Sequence, residues 1–90
     1  MLIPVRTSQF KRDVKLAGKK GKNLSKIKAI MTKLTNEEIL DPKHRNHKLT
    51  GNYKDHWECH IEPDWLLIYR LSKTEITFER TGSHSDLFKK

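Results

Sequence analysis

The stretch HWECHIEPDWLLIY, residues 56–69, changes its pattern halfway along. Trp57, Cys59 and Ile61 alternate with His56, Glu58 and His60, the period of a strand with one face buried and one face wet. Glu62-Pro63-Asp64 then predicts a turn, since proline presets the backbone angle a tight reversal needs. WLLIYRL, residues 65–71, is apolar on both sides and predicts a central strand covered on both faces. Two adjacent strands of such different character make a hairpin, and the rest of the fold is arranged around it.

Working outward, Ser72-Lys73-Thr74 returns the chain to EITFER, in which Ile76 and Phe78 point one way and Glu75, Thr77 and Glu79 the other. On the N-terminal side, EEILDPKHRNH (37–47) predicts irregular structure, and Gly51-Asn52 in LTGNY suits a reversal. Further back the period becomes helical. Asn23 caps a helix with Leu24, Ile27, Ile30, Met31 and Leu34 as its apolar stripe. Ser8 is the expected cap of an earlier helix carrying Phe10, Val14 and Ala17. Gly18 and Gly21 bracket the turn GKKGKN between them. Leu2–Val5 is a short strand, with Pro4 tolerable at an edge. The expected fold is α+β, in the order β-α-α-β-β-β. A two-helix hairpin lies on a small antiparallel sheet, in one domain spanning 1–90.

The charge is uneven. The chain carries 19 Lys/Arg against 11 Asp/Glu, a formal net charge of +8. Residues 1–33 hold ten of the basic residues and only one acid, Asp13. A basic helical hairpin points to a polyanion partner, and Lys19, Lys20 and Lys22 are the expected contacts to an RNA backbone. Basicity and the His/Asp-rich segments lie in different halves, which suggests separate jobs. Cys59 is the only cysteine, so no internal disulfide forms and a reducing, cytoplasmic setting is expected. No apolar run reaches the length of a membrane span.

Two familiar motifs fail on inspection. The histidines of HWECH are four apart on a strand, roughly 13 Å at about 3.3 Å per residue, too far to share one zinc. GKKGKN lacks both the glycine spacing and the Ser/Thr of a phosphate loop. No cofactor or metal is expected. The remaining signal is His60, Asp64, Arg80 and His84. Adjacent antiparallel hairpins bring the end of one strand, the following turn and the end of the last strand to one edge. Metal-free RNA cleavage needs a base for the 2′-hydroxyl, an acid for the 5′-oxygen and a cation for the phosphorane. His60 or Asp64 suits the first role, His84 the second and Arg80 the third. Trp65 and Phe88 offer rings for bases, although Trp65 opens the most apolar strand and favours packing.

The segments FKRDVKLAGKKGKNLSKIKAIMTKL, HKLTGNYKDHWECHIEPDWLLIY and FERTGSHSDLF together resemble the RelE-type bacterial toxins of type II toxin–antitoxin systems, and within them the YafQ branch. The resemblance implies the same small fold and a ribosome-dependent endoribonuclease. Such an enzyme cuts messenger RNA in the ribosomal A site without metal and is silenced by a cognate antitoxin protein. It implies contact with DNA only through the antitoxin complex. The branch's functional set falls on His47 in RNHKL, on His60, Asp64 and Trp65 in CHIEPDW, on Arg80 in ERTG, on His84 in GSHSDLF, and on Phe88. His47, Trp65 and Phe88 would bind substrate. Tyr53 stands where the family commonly has Trp, and two lysines follow Phe88, which could alter how the tail meets RNA. His44 and His56 have no role in the pattern and read as surface residues. The same fold also carries ParE-type toxins, which poison gyrase and lack this acid–base set. A non-catalytic RNA-binding module is the third reading.

Overall fold

The computed structural model describes residues 1–53 and 55–88. Strand β1 (Ile3–Arg6) leads into helices α1 (Ser8–Lys19) and α2 (Leu24–Thr35). After a single 3-10 turn at Pro42–His44 come β2 (His47–Lys48) and a second such turn at Gly51–Tyr53. Strands β3 (Trp57–Glu62), β4 (Trp65–Leu71) and β5 (Glu75–Gly82) follow, and a one-turn helix, α3 (His84–Leu87), closes the described chain.

The α+β class and the β-α-α-β-β-β order stand, with β2 and α3 added to them. The sheet order is β1-β5-β4-β3-β2, which puts β4 in the middle, as its two apolar faces predict. The expectation of an antiparallel sheet needs one correction: β1 runs parallel to β5, because two helices separate β1 from the rest of the sheet. A crossover of that length permits a parallel pairing that no short turn could make.

Asn23 caps α2 as expected, its Oδ1 accepting the Ser25 N–H. For α1 the cap is Thr7 and not Ser8, with Thr7 Oγ1 accepting the Phe10 N–H at 2.9 Å. Gly18 lies within α1, whereas Gly21 takes the left-handed conformation (φ +85°) that stops the chain before α2. Phe10, Ala17, Ile27, Ile30 and Leu34 pack against Cys59, Ile61, Trp65, Leu67, Tyr69, Ile76 and Phe78 on one face of the sheet. Full burial of each large side chain is worth about 1.5–3 kcal/mol. On the other face Leu66 and Ile68 cluster with Leu87, and Leu49 and Tyr53 pack against them. Around this second cluster His60 and Arg80 stay partly exposed, and this is the open face of the sheet.

Two slips in register decide what this open face displays. In β3 the pairing moves from His60↔Leu66 to Glu62↔Trp65, so Ile61 is the extra residue. In β5 it moves from Ile68↔Arg80 to Tyr69↔Phe78, so Glu79 is the extra one. A bulge inverts the alternation beyond it. Phe78 therefore faces the helices while Arg80, two residues on, stands opposite Ile68 on the open face.

Candidate active site

Register alone brings four residues into a row across the open face: His47 on β2 opposite Glu58 on β3, Glu58 opposite Ile68, and Ile68 opposite Arg80. His60 lies in the adjacent row, opposite Leu66. Glu58 is buried, and its Oε1 stands 3.3 Å from His60 Nε2 and 3.6 Å from His47 Nε2. His47 Nδ1 lies 2.6 Å from the Arg45 carbonyl, which holds that ring with Nε2 toward Glu58.

The second half of the site is built by the β3–β4 turn and α3. Ser83 caps α3 in a reciprocal capping box with Asp86, so His84 is the first helical residue and not part of a loose turn. Gly82, two residues before it, packs closely on the capping box, since a Cβ there would meet Asp86 Cβ at 3.1 Å. Asp64 Oδ1 accepts both the His84 backbone N–H (2.9 Å) and Nδ1–H (2.7 Å). These two bonds, the backbone one first, hold the Asp64 carboxyl below its ordinary value. With Nδ1 bound, His84 presents Nε2 outward. The rings of His60 and His84 lie 5.7 Å apart. Phe88 sits 6.4 Å from His84 and edge-on to Tyr53 at 5.5 Å.

Arg80 reaches the same face from β5. Its Nε donates to Asp13 Oδ2 at 2.7 Å and its Nη2 to Oδ1 at 3.4 Å. Asp13 is the first cause holding the guanidinium above its usual value. Glu58 thus links His47 and His60, His60 adjoins His84, His84 contacts Asp64 and Phe88, and Arg80 shares a cleft with Asp64.

Trp65 does not join them. It is 1% exposed, packs on the helix side of the sheet and donates Nε1–H to Thr81 Oγ1 at 3.0 Å. Its burial favours the packing role, while the residue also lines a cleft shared with Asp64 and Arg80. Lys22 Nζ rests 5.7 Å above that ring. His44 and His56 are likewise not free surface residues. His44 Nδ1 is 2.6 Å from the His60 carbonyl, and His56 Nε2 is 3.8 Å from Glu79.

The basic half and the His/Asp half of the chain meet in space. Lys20 reaches Asp86 at 3.7 Å, and Lys22 and Lys26 reach Glu62 at 3.4 and 2.8 Å. Lys20 and Lys22 line a cleft of ≈ 310 Å³ together with Asp13, Asp64 and Arg80. The basic end of the helical hairpin therefore adjoins the acid–base groups. The two final lysines, Lys89 and Lys90, lie outside the described residues. Sequence reasoning missed Glu58 and Asp13. Glu58 was hidden among the wet positions of β3. Asp13 had a usable signal: it sits three residues after Phe10 and four before Ala17, on the apolar stripe of α1. An acid there predicts a buried partner.

Among the described residues, no group of three or more His, Cys, Asp or Glu is arranged to hold a metal ion. No helix among them is long and apolar enough to cross a membrane.

Residues 3–89 match the family model described as the bacterial toxin of type II toxin–antitoxin system, YafQ. The chain is 43% identical over 83 residues to the mRNA interferase toxin YafQ of Escherichia coli K12, covering 91% of this chain and 90% of that one. It superposes on the crystal structure of the E. coli DinJ–YafQ toxin–antitoxin complex with a TM-score of 0.90, at 41% identity and 97% coverage of each chain. A metal-bound toxin from Helicobacter pylori matches with a TM-score of 0.92, at 38% identity over 98% of this chain and 100% of that one.

Proposed function

Since the chain belongs to the YafQ family of type II toxins, we propose that it is a ribosome-dependent endoribonuclease that cuts messenger RNA in the A site. A cognate antitoxin protein silences it, and its work in the cytoplasm needs no metal. The observation that carries this reading is a pair of carboxylate-held histidines displayed on the same sheet face as an arginine.

The proposed reaction is attack by the ribose 2′-oxygen on the adjacent phosphorus, with departure of the 5′-oxygen. It leaves a 2′,3′-cyclic phosphate and a 5′-hydroxyl. His60 takes the 2′-proton, and the buried Glu58 carboxylate 3.3 Å away stabilises the imidazolium that forms. Arg80 steadies the extra negative charge of the phosphorane. His84 Nε2 gives its proton to the leaving oxygen. Asp64 serves better as the group that orients His84 than as the base, because two bonds from His84 already occupy its Oδ1 and make it a weak proton acceptor. His47 and Phe88 border the site as substrate contacts.

The test is to add purified protein, stripped of transition metals by chelation and dialysis, to programmed ribosomes and to map new 5′ ends on the message. Cleavage inside the A-site codon, absent on naked message, is the expected result. An intact message on ribosomes overturns the nuclease reading. Cleavage restored only by added metal overturns the metal-free mechanism alone.

A further inference from the structure

Asp13 accepts more donors than any helix-surface acid needs. Besides Arg80 Nε and Nη2, its carboxylate takes the Thr81 backbone N–H (3.2 Å) and the Gln9 side-chain amide (2.9 Å). The reason lies in the sheet. Strand β1 leaves β5 at the Arg6↔Phe78 pair, just before α1 begins, so the edge of β5 beyond it has no strand partner among the described residues. Asp13, one and a half turns into α1, takes the place of that missing strand. It pins the backbone just after the Glu79 bulge and the side chain that the bulge turns to the open face. Thr81 extends the anchor inward, since its Oγ1 accepts from Trp65 and donates to the Leu66 carbonyl at 2.7 Å.

Resting on the nuclease reading above, we propose that Asp13 is the positioning residue for Arg80. By gripping the Nε side of the guanidinium it fixes the plane of the fork. Tyr53 also engages the guanidinium, and the Nη hydrogens beyond these two contacts are thereby aimed at the scissile phosphate before substrate arrives. A planar, delocalised cation held this way is pre-organised in a manner that a lysine at position 80 could not reproduce. The Asp13 charge also keeps Arg80 from collapsing onto the Asp64 carboxylate, which lines the same cleft.

The experiment is a double-mutant cycle of Asp13→Asn and Arg80→Ala, read by single-turnover cleavage and by ribosome binding. Asn keeps the size of Asp but drops the charge. Asp13→Asn is expected to slow cleavage about a hundredfold, the scale of a misplaced catalytic group, while ribosome affinity changes little. In the Arg80→Ala background the same substitution is expected to cost nothing further. A loss that adds in full to that of Arg80→Ala overturns the assignment, because Asp13 would then act on stability or binding and not through Arg80. Unchanged cleavage by Asp13→Asn overturns it equally. Should that variant fail to fold, the wild type carries a second readout: the Arg80 Nε–Hε signal in an amide-type NMR spectrum. A signal slow to exchange and slow to rotate supports the grip, and a freely averaged one overturns it. A wild type that leaves messages intact defeats the functional reading itself, and the positioning role falls with it.

Discussion

Asp64 holds His84 by two bonds to a single oxygen, one from the backbone and one from the ring, across a gap of twenty residues in sequence. The contact ties the β3–β4 turn to the start of α3 and sets which ring nitrogen faces out. Asp64→Asn removes the charge that stabilises the imidazolium from which His84 donates, and is expected to slow cleavage by about a hundredfold or more. The pH dependence of stability follows from the lowered carboxyl of Asp64. Its contribution is present above the ordinary aspartate value of about 3.9 and is lost as pH falls through the lower value of the folded state. The melting-temperature gap between wild type and Asp64→Asn should therefore be open near neutrality and close in strong acid. A gap that widens on acidification contradicts this sign.

His84 is more than half exposed and is the first residue of a single helical turn. Replacement by alanine is expected to cost about 0.5 kcal/mol or less in stability and about a hundred- to ten-thousand-fold in cleavage rate. Thermal melts beside single-turnover cleavage separate the two. Near-normal cleavage would remove His84 as the acid and direct attention to His47.

Glu58 is buried between two imidazoles. Glu58→Gln keeps its volume and removes the charge that stabilises a protonated His60. We expect a loss of about tenfold to a thousandfold in rate, on the scale of other preorganised electrostatic contacts, and a change in the pH–rate profile. Glu58→Ala adds a cavity and unpaired ring nitrogens, at a cost of about 1–3 kcal/mol. An unaltered pH–rate profile in Glu58→Gln would show that the carboxylate is structural only.

Lys19 and Lys20 are exposed and Lys22 is half-buried, and Lys20 and Lys22 line the cleft beside the site. Replacing Lys19, Lys20 and Lys22 with Gln should weaken ribosome binding and flatten its salt dependence. Each lost phosphate contact is worth a slope change of about 0.7–0.9. Their ion pairs with Asp86 and Glu62 are surface pairs worth about 0–1 kcal/mol, so the fold should survive. An unchanged salt slope removes these lysines from the RNA contact.

A cognate antitoxin segment is expected to be acidic and to order on binding. Added to an extract poisoned by this protein, it should restore translation. Cleavage persisting at saturating antitoxin would contradict neutralisation by direct contact.

Local pattern was enough to define the main elements. The alternation of Trp57, Cys59 and Ile61, the apolar run at 65–69 and the Asn23 cap each act within a few residues, and each is where the pattern puts it. The spacing of His60, Asp64 and His84 around the β3–β4 turn and the end of β5 also made their proximity legible, since short turns leave few ways to arrange antiparallel strands. Other features depend on partners far along the chain. The direction of β1 is set by a two-helix crossover. The face on which Arg80 appears is set by one extra residue at Glu79, and the burial of Glu58 by β2 and its histidine. Asp13 is the plainest case: to sequence it is an acid interrupting an apolar stripe, and only its meeting with Arg80, 67 residues away, gives it a purpose. Periodicity records which side of an element is buried. It carries no record of what waits there, because that partner is chosen by packing between elements and not by the residues on either side.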